Sequence, residues 1–319
     1  MIDIKKLAPI VLFVYNRPIH TRMTIEALQK NHLAKDSILY IFADGAKPSA
    51  NDEQIASVQQ TRDYIKTVSG FKEVVIEEAS QNKGLANSVI YGVTKVINQY
   101  GKVIVVEDDL VTSPHFLRLL NEQLEVYKDD GRIFMVTGCN YNVKMPWYYR
   151  KDMYITHRGN STGWGCWKEC WDCADWNITD YNEFMSDPRK QTLFNRGGDD
   201  LTPMLRMQME GKIDSWAIRW EYTMYKHDAY CVHPVKTFLW NSGFDGSGIH
   251  SGTRSIDGLM APMYESDNYC IKLPYPLKPD KFIEKRFKYY HNPIKKECFF
   301  QEIRKKIALR TRIRKILGL

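Results

Sequence analysis

Three adjacent carboxylates, Glu107, Asp108 and Asp109, directly follow the apolar segment KVIVV at residues 102–106. Carboxylates crowded at the end of a buried strand repel one another, so a bound cation would relieve an energetic cost. Oxygen ligands with no thiol or imidazole beside them suit a hard ion such as Mn²⁺ or Mg²⁺. Such an ion could bind a diphosphate and neutralise the charge that grows on it as it departs. The alternative is that the triplet only complements the dipole of a helix expected from Pro114 onwards.

Polar residues also follow two earlier apolar segments. Asn16 and Arg17 come after PIVLFVY, and Asp44 comes after SILYIFA. Ligands of an open parallel sheet bind outside the carboxyl ends of its strands, so Arg17, Asp44 and Asp109 are predicted to converge at one edge. A cation near phosphates, a carboxylate for a nucleoside and a carboxylate for a metal would together form a nucleotide site.

The turn Asn82-Lys83-Gly84 stands immediately before a predicted helix. Backbone N–H groups at a helix N-terminus attract anions, so this turn and the Lys83 side chain could meet a phosphate. The alternative is a plain turn in which Asn82 caps the helix.

The first 140 residues alternate apolar segments with amphipathic ones, which indicates a mostly parallel sheet covered by helices on both faces. Strands are predicted at residues 9–15, 37–43, 73–78, 102–106 and 133–137. Helices are predicted at residues 19–31, 52–68, 85–100 and 114–127. Beyond Asn140 the periodicity weakens, and all eight tryptophans lie there. No flexible linker separates the two halves, so we expect them to pack as one unit.

The composition is that of a soluble globular protein, with 44% hydrophobic and 26% charged residues in a chain of 319. No segment approaches the ~20 apolar residues of a membrane-spanning helix, and no signal-peptide cleavage site is recognisable. Seven cysteines, an odd number, do not suggest a secreted disulfide framework, so a cytoplasmic location is expected. The spacing of Cys166, Cys170 and Cys173 hints at zinc with His157, but free thiols explain it better because a second pair of ligands is missing.

The segments PIVLFVYNRP, IFADG, NKGLANS, VIVVEDDLVTSPHFL and GWGCW, in this order, resemble the GT-A-fold glycosyltransferases. The chain is similar over about residues 8–255 to bacterial nucleotide-diphospho-sugar transferases related to N-acetylglucosaminyltransferase I. The resemblance implies that Asp109 binds the metal, with Asp108 beside it at the donor. It also implies that Asn16, Arg17 and Asp44 line the nucleotide pocket, and that the donor is a UDP-sugar.

The second half is expected to supply the catalytic base and the acceptor site. An inverting transferase needs a carboxylate to accept the proton of the attacking hydroxyl, whereas a retaining one does not. The resemblance favours Asp200 as this base, followed by Asp199, with Glu221 in reserve. Asp199 and Asp200 could instead simply cap the helix that follows them.

Two further features of the second half are candidate donor contacts. Trp164 in the segment GWGCW is implied to lie near the site, although any single tryptophan could equally belong to the core. The glycine-rich segment 243–250 is predicted to form a loop that closes over the donor, with His250 reaching the metal or the diphosphate. The alternative for this segment is an exposed turn.

The last 39 residues carry thirteen Lys or Arg and three acidic residues, whereas the rest of the chain has 32 basic and 35 acidic residues. Apolar residues of the tail can share one helical stripe surrounded by cations, which favours an interfacial helix on an anionic membrane. Docking on the protein's own body or binding nucleic acid are the alternatives, and the acidic balance of the body argues against nucleic acid. The stripe consists of Phe299, Ile303, Ile307, Ile313 and Leu317.

Together these features predict a GT-A, Rossmann-like α/β fold with a donor-binding half at residues 1–140, an aromatic-rich acceptor half at 141–280 and a basic C-terminal helix at 281–319. The predicted function is metal-dependent transfer of a sugar from a nucleotide diphosphate to a glycan, which could be lipid-linked, at the inner face of the cell membrane. A catalytically inactive nucleotide-sugar binder and a sugar-nucleotide pyrophosphorylase are the alternatives. The pyrophosphorylase alternative lacks support because no glycine-rich loop follows the first strand.

Overall fold

In the computed structural model of the chain, residues 6–244 and 261–291 are described. The predicted donor contact His250 and the predicted tail helix beyond residue 291 lie outside the described residues. Of the helices in the described ranges, none has both the length and the apolar character needed to span a bilayer.

Ten strands and ten α-helices follow one another along the described chain. The strands are β1 (Ile10–Val14), β2 (Ile38–Ala43), β3 (Glu73–Glu78), β4 (Lys102–Glu107), β5 (Leu110–Thr112), β6 (Ile133–Thr137), β7 (Met153–Thr156), β8 (Trp164–Trp167), β9 (Tyr230–Pro234) and β10 (Leu239–Asn241). The helices are α1 (Pro18–Gln29), α2 (Asp52–Ile65), α3 (Leu85–Tyr100), α4 (Phe116–Val126), α5 (Lys168–Trp171), α6 (Tyr181–Ser186), α7 (Pro188–Phe194), α8 (Leu201–Met209), α9 (Trp216–Lys226) and α10 (Lys281–Tyr290).

Eight strands form one sheet in the order β3-β2-β1-β4-β8-β6-β9-β7, and β5 pairs with β10 in a separate ribbon. Within the first half, β1, β2, β3 and β4 are parallel neighbours, as predicted from their apolar sequences. β1 is buried along its whole length because α1 and α3 cover the sheet on either side. The predicted α/β class, a mostly parallel sheet flanked by helices, is therefore confirmed.

The strand β8 joins the two halves of the chain. It runs antiparallel both to β4, with Val103 opposite Cys166, and to β6, with Val136 opposite Gly165. A Cβ at Gly165 would lie 2.8 Å from the carbonyl oxygen of Val103, so a side chain cannot be added there without moving the backbone. β6 is hence parallel to β4, and β9 continues the sheet beyond it in the same direction.

The aromatic residues of the second half mostly build a core. Trp164 is fully buried and stacks on Trp216 with ring centroids 4.8 Å apart. Trp171 lies beside Trp164 and packs against Trp220 at 5.2 Å. These rings lie between the sheet and the helices α3 and α9, so the aromatic richness of this half is largely explained by packing.

The three closely spaced cysteines do not form a zinc site among the described residues, which contain no cluster of three or more metal-ligating side chains. Cys166 is a buried free thiol and Cys170 is half-buried. Cys173, in contrast, is exposed to solvent. His157 lies elsewhere, hydrogen-bonded to Glu284 at 2.6 Å.

Candidate functional site

Three of the predicted site residues meet where β1 and β4 end. The Arg17 guanidinium donates to Asp108 at 3.2 Å and to Asp109 at 3.1 Å. Both carboxylates are almost removed from solvent. Parallel pairing of β1 with β4 brings the turn at Arg17 beside the acidic triplet, 91 residues further along the chain. The predicted convergence of Arg17 and Asp109 is therefore present.

The β5–β10 ribbon fixes the backbone of Asp109. Its carbonyl oxygen accepts hydrogen bonds from the backbone N–H of Ser242 at 2.8 Å and from the hydroxyl of Ser242 at 3.0 Å. The next residue, Gly243, lies so close that a Cβ there would be 2.3 Å from Asp109 Oδ2 and 2.8 Å from Arg17 Nη2. The start of the predicted glycine-rich segment thus packs directly on the charged pair.

Crowding of the acidic triplet raises the pKa of two of its members. Burial, followed by repulsion from Asp109 and Asp108, raises the pKa of Glu107 to about 8. Burial raises the pKa of Asp108 to about 7, although Arg17 opposes the shift. One arginine therefore does not compensate the negative charge that the fold gathers here.

A divalent cation fits this cluster. Asp109 Oδ1 is buried and has no hydrogen-bond partner among residues 6–244 and 261–291, whereas Oδ2 accepts from Arg17. A buried carboxylate oxygen without a partner is costly, and a cation would satisfy it. The described residues contain no group of three or more His, Cys, Asp or Glu side chains that could hold a metal ion alone. An ion at Asp109 would need further oxygen ligands, which fits Mg²⁺ or Mn²⁺ held by one or two carboxylates together with substrate phosphates.

The Asp44 carboxylate is hydrogen-bonded to the turn at residues 82–84. Its Oδ1 accepts from the backbone N–H of Lys83 at 2.8 Å, and its Oδ2 accepts from Gly84 at 3.2 Å and from the Asn82 amide at 3.0 Å. Oδ1 also accepts from the N–H of Gly45. Each oxygen thus already accepts two hydrogen bonds, so Asp44 acts in this structure by holding the turn at the sheet edge. Its predicted contact with the nucleoside stays a prediction.

Lys83 is exposed, and its ammonium lies 3.9 Å from the centroid of the Tyr91 ring. Beside this cation–π pair, Asp44 and Glu77 line a cavity of about 20 Å³, which holds about one water molecule. A larger open groove of about 690 Å³ lies between α1 and α2 and includes Ile19 and Tyr64. Asp109 lines neither of these two cavities, so the candidate site is identified by the chemistry of the acidic triplet.

The predicted base Asp200 lies at the start of α8, but it does not cap this helix by its side chain. Its two oxygens accept from the Arg158 guanidinium at 2.7 and 2.9 Å. Asp199 pairs with Lys288 of α10 at 2.7 Å. The capping alternative is therefore wrong for Asp200, and the two neighbouring aspartates face different partners.

Glu221 on α9 lies close to the Arg158–Asp200 pair and accepts a hydrogen bond from the backbone N–H of Gly159 at 3.1 Å. Burial raises the pKa of Glu221 to about 7, with Arg158 lowering it and Asp200 raising it. A carboxylate with such a pKa could exchange protons near neutral pH. Its role as a base remains a prediction.

Asp214 is a carboxylate that the sequence did not single out. It precedes α9, and its Oδ2 accepts from the backbone N–H of Ala86 at 3.3 Å at the N-terminus of α3. Its Oδ2 also lies 2.9 Å from the position of a Cβ on Gly84. The side chain is 54% exposed, and α3 begins at the edge where Asp44 holds residues 82–84. Only the tertiary contact between α3 and α9 brings it there, so no local pattern could have revealed it.

The remaining predicted donor contacts differ in their placement. Asn16 is half-buried in the turn between β1 and α1, next to Arg17. Trp164 is 0% exposed and its ring packs in the core, so burial explains this tryptophan, and its implied position near the donor stays a prediction.

The sequence profile of the GNT-I family matches residues 1–195, which is more than half of the chain. The chain belongs to the GNT-I family. The predicted resemblance to GT-A glycosyltransferases related to N-acetylglucosaminyltransferase I is thereby confirmed, and with it the enzyme class, a glycosyltransferase. No curated protein sequence matches the chain.

The solved structures that match this chain share little sequence identity with it. A mannosyltransferase from Pyrobaculum calidifontis, in complex with GDP-Man and Mn²⁺, is 10% identical, with a TM-score of 0.35 over 53% of this chain and 47% of that one. TarS from S. aureus is 9% identical, with a TM-score of 0.40 over 75% and 37%. Mouse xyloside xylosyltransferase 1 is 9% identical, with a TM-score of 0.36 over 68% and 80%. The chain spans less than half the length of the first two.

Proposed function

We propose that the protein transfers a sugar from a nucleotide diphosphate donor, a UDP-sugar, to a hydroxyl of a glycan acceptor. The observation that carries this proposal is the ion pair of Arg17 with the buried Asp109 at the carboxyl edge of a parallel sheet. In this pair one oxygen of Asp109 has no partner within the part of the chain that the structure describes. Membership of the GNT-I family supports the same reaction class.

The chain's own residues have separable tasks in this reaction. Arg17 offers a guanidinium to a phosphate, and Asp109 holds the divalent ion together with the diphosphate. When bound, Mn²⁺ or Mg²⁺ neutralises the charge on the departing nucleotide. Asp44 holds the turn at residues 82–84, whose Lys83 can then approach the donor from the N-terminus of α3.

An inverting reaction also needs a carboxylate to accept the acceptor's proton. Asp200, Asp199 and Glu221 are the candidates drawn from the sequence, and we place Asp214 ahead of them. Asp214 is half-exposed beside the turn that Asp44 holds, and its Oδ1 lies 3.8 Å from Arg219 Nη2. Asp200 is held more closely, because both of its oxygens accept from Arg158 at 2.7 and 2.9 Å. The acceptor is proposed to be a surface polysaccharide or glycoconjugate precursor. A lipid-linked form of it would suit attachment to the inner face of the membrane through the basic tail.

The donor site is tested by thermal unfolding with UDP, GDP or ADP, each with and without Mn²⁺. UDP with Mn²⁺ should raise the melting temperature by several degrees, since a ligand at about 100 times its Kd adds ~2.7 kcal/mol of stability. Asp109→Asn should abolish the metal-dependent part of this increase in melting temperature. The matched control is Asp130→Asn, which changes another buried aspartate that pairs with an arginine, Arg132, at 2.7 Å before β6.

An unchanged metal-dependent shift in Asp109→Asn would refute the donor site. Transfer or hydrolysis of UDP-sugars with Mn²⁺ separates an enzyme from an inactive binder, because a binder would show the thermal shift and no turnover.

A further inference from the structure

Three large aromatic rings are exposed on one part of the surface. Trp147 is 84% exposed, Tyr148 48% and Phe282 46%. The Tyr148 hydroxyl donates to Asp280, directly before α10, at 3.2 Å, and Arg286 donates to the carbonyl oxygen of Lys144. The segment 144–151 and the segment 278–286 therefore form one continuous surface, which we call the aromatic–basic face.

All exposed charged side chains of the aromatic–basic face are cations. They are Lys144, Arg150, Lys151, Lys278, Lys281 and Lys285. Its two carboxylates are partly buried and already form hydrogen bonds. Asp280 caps α10 by accepting from the N–H groups of Phe282 and Ile283, and Glu284 is hydrogen-bonded to His157. The positive charge of the face is consequently directed outward and is not neutralised within it.

The sheet topology places this face at the donor edge. β6 is parallel to β4, so the connection that leaves β6 at Thr137 starts at the edge where Asp109 lies. β7 begins at Met153 opposite Pro234, the carboxyl end of β9, which is also parallel to β6. Both ends of the connection at residues 138–152 thus lie at the edge that carries the proposed site.

We propose that the aromatic–basic face binds the surface of an anionic lipid bilayer. Tryptophan and tyrosine prefer the membrane–water interface, and lysine and arginine beside them are attracted to anionic headgroups. An anionic bilayer uses both features of the face, because its headgroups attract the six cations and its interface accepts the three exposed rings. Bound in this way, the protein turns its donor edge towards the bilayer, where a lipid-linked acceptor would be presented.

The inference is independent of the proposed reaction, because lipid binding is measured without any sugar donor. The full chain is sedimented with phosphatidylcholine vesicles and with vesicles of equal parts phosphatidylcholine and phosphatidylglycerol. Neutralising Arg150, Lys151 and Lys281 together to Gln should weaken binding to the anionic vesicles about a hundredfold, at ~1 kcal/mol per cation near the surface. The matched control neutralises Lys30, Lys35 and Lys72, exposed cations at the opposite edge of the sheet, and should leave binding unchanged.

Fluorescence provides a second readout at the same face. Anionic vesicles should shift the emission to shorter wavelength as the exposed Trp147 ring leaves water, and Trp147→Phe should remove that shift while melting like the wild type. Equal vesicle binding by the two triple variants would overturn the proposal and leave the tail beyond residue 291 as the lipid-binding part. A face variant that lost affinity only for an acidic acceptor glycan, and not for vesicles, would also overturn it.

Discussion

Four aspartates near the carboxyl edge and in the second half have different surroundings, although their side chains are identical. Asp109 has a buried oxygen that no described residue contacts by a hydrogen bond, and Asp44 accepts four hydrogen bonds. Asp200 is held by Arg158, and Asp214 is half-exposed with Arg219 at 3.8 Å. Asp109 could be predicted because its place directly after an apolar strand fixes its position at the sheet edge. The ion pair of Asp200 could not, because its partner lies 42 residues earlier in an irregular segment.

The two candidate bases should respond differently to amide substitution. Asp214→Asn keeps an oxygen for the N–H of Ala86 and removes a half-exposed ion pair with Arg219 at 3.8 Å, so stability should hardly change. The kcat should fall by about 10²–10⁴-fold if the proton acceptor is lost. Asp200→Asn leaves the guanidinium of Arg158 without its carboxylate and should cost roughly 3 kcal/mol of stability. Steady-state kinetics and urea unfolding of both variants separate the roles. A larger fall in kcat for Asp200→Asn than for Asp214→Asn, measured at equal folded fractions, would make Asp200 the preferred candidate for the base.

Helices and strands of the first half were predictable because long apolar segments alternate with amphipathic ones. β3, α3 and β6 have the predicted bounds, and α1 begins at Pro18, one residue before the prediction, because proline is favoured in the first helical turn. The strands β5, β8 and β10 were not predicted. They have three or four residues each, and antiparallel pairing with distant strands, more than their own sequence, makes them strands.

The β5–β10 ribbon should be intolerant of a side chain at Gly243. A methyl group there would meet Asp109 Oδ2 at 2.3 Å, so either the ribbon or the Arg17–Asp109 pair must move. Gly243→Ala is expected to weaken Mn²⁺-dependent UDP binding by ~1–3 kcal/mol, the usual cost of overpacking. Isothermal titration measures this effect. Gly131→Ala is the control because nothing lies within 4 Å of the added carbon, and equal affinities of the two variants would contradict the expectation.

Both halves of the chain contribute to one sheet and to the hydrophobic clusters on its two faces. Ile10, Ile104 and Leu120 belong to the same buried cluster as Met153, Val232 and Phe238. This arrangement is consistent with the expected packing of the halves as one unit. The predicted boundary at residue 140 falls between β6 and the two strands that pair with it, β8 and β9. Sequence periodicity could not foresee this interleaving, since it reports the elements and not their order in the sheet.

The full chain should therefore unfold in a single cooperative transition, with equal calorimetric and van't Hoff enthalpies. A fragment of residues 1–140 should lack a stable fold, because β4 and β6 would lose the strand between them. Differential scanning calorimetry and circular dichroism test the two statements. Two separated transitions, or a folded fragment, would show that the halves are independent domains.

The antiparallel strand β8 has one more consequence, for inhibitor design. Because β8 is hydrogen-bonded to β4 on one side and to β6 on the other, the two halves cannot swing apart without breaking the sheet. We therefore expect the hydrogen-bonded sheet to fix the distance between the proposed donor site at Asp109 and the proposed acceptor site in the second half. A bisubstrate compound with a short, stiff spacer should for this reason bind more tightly than one with a flexible spacer of the same reach.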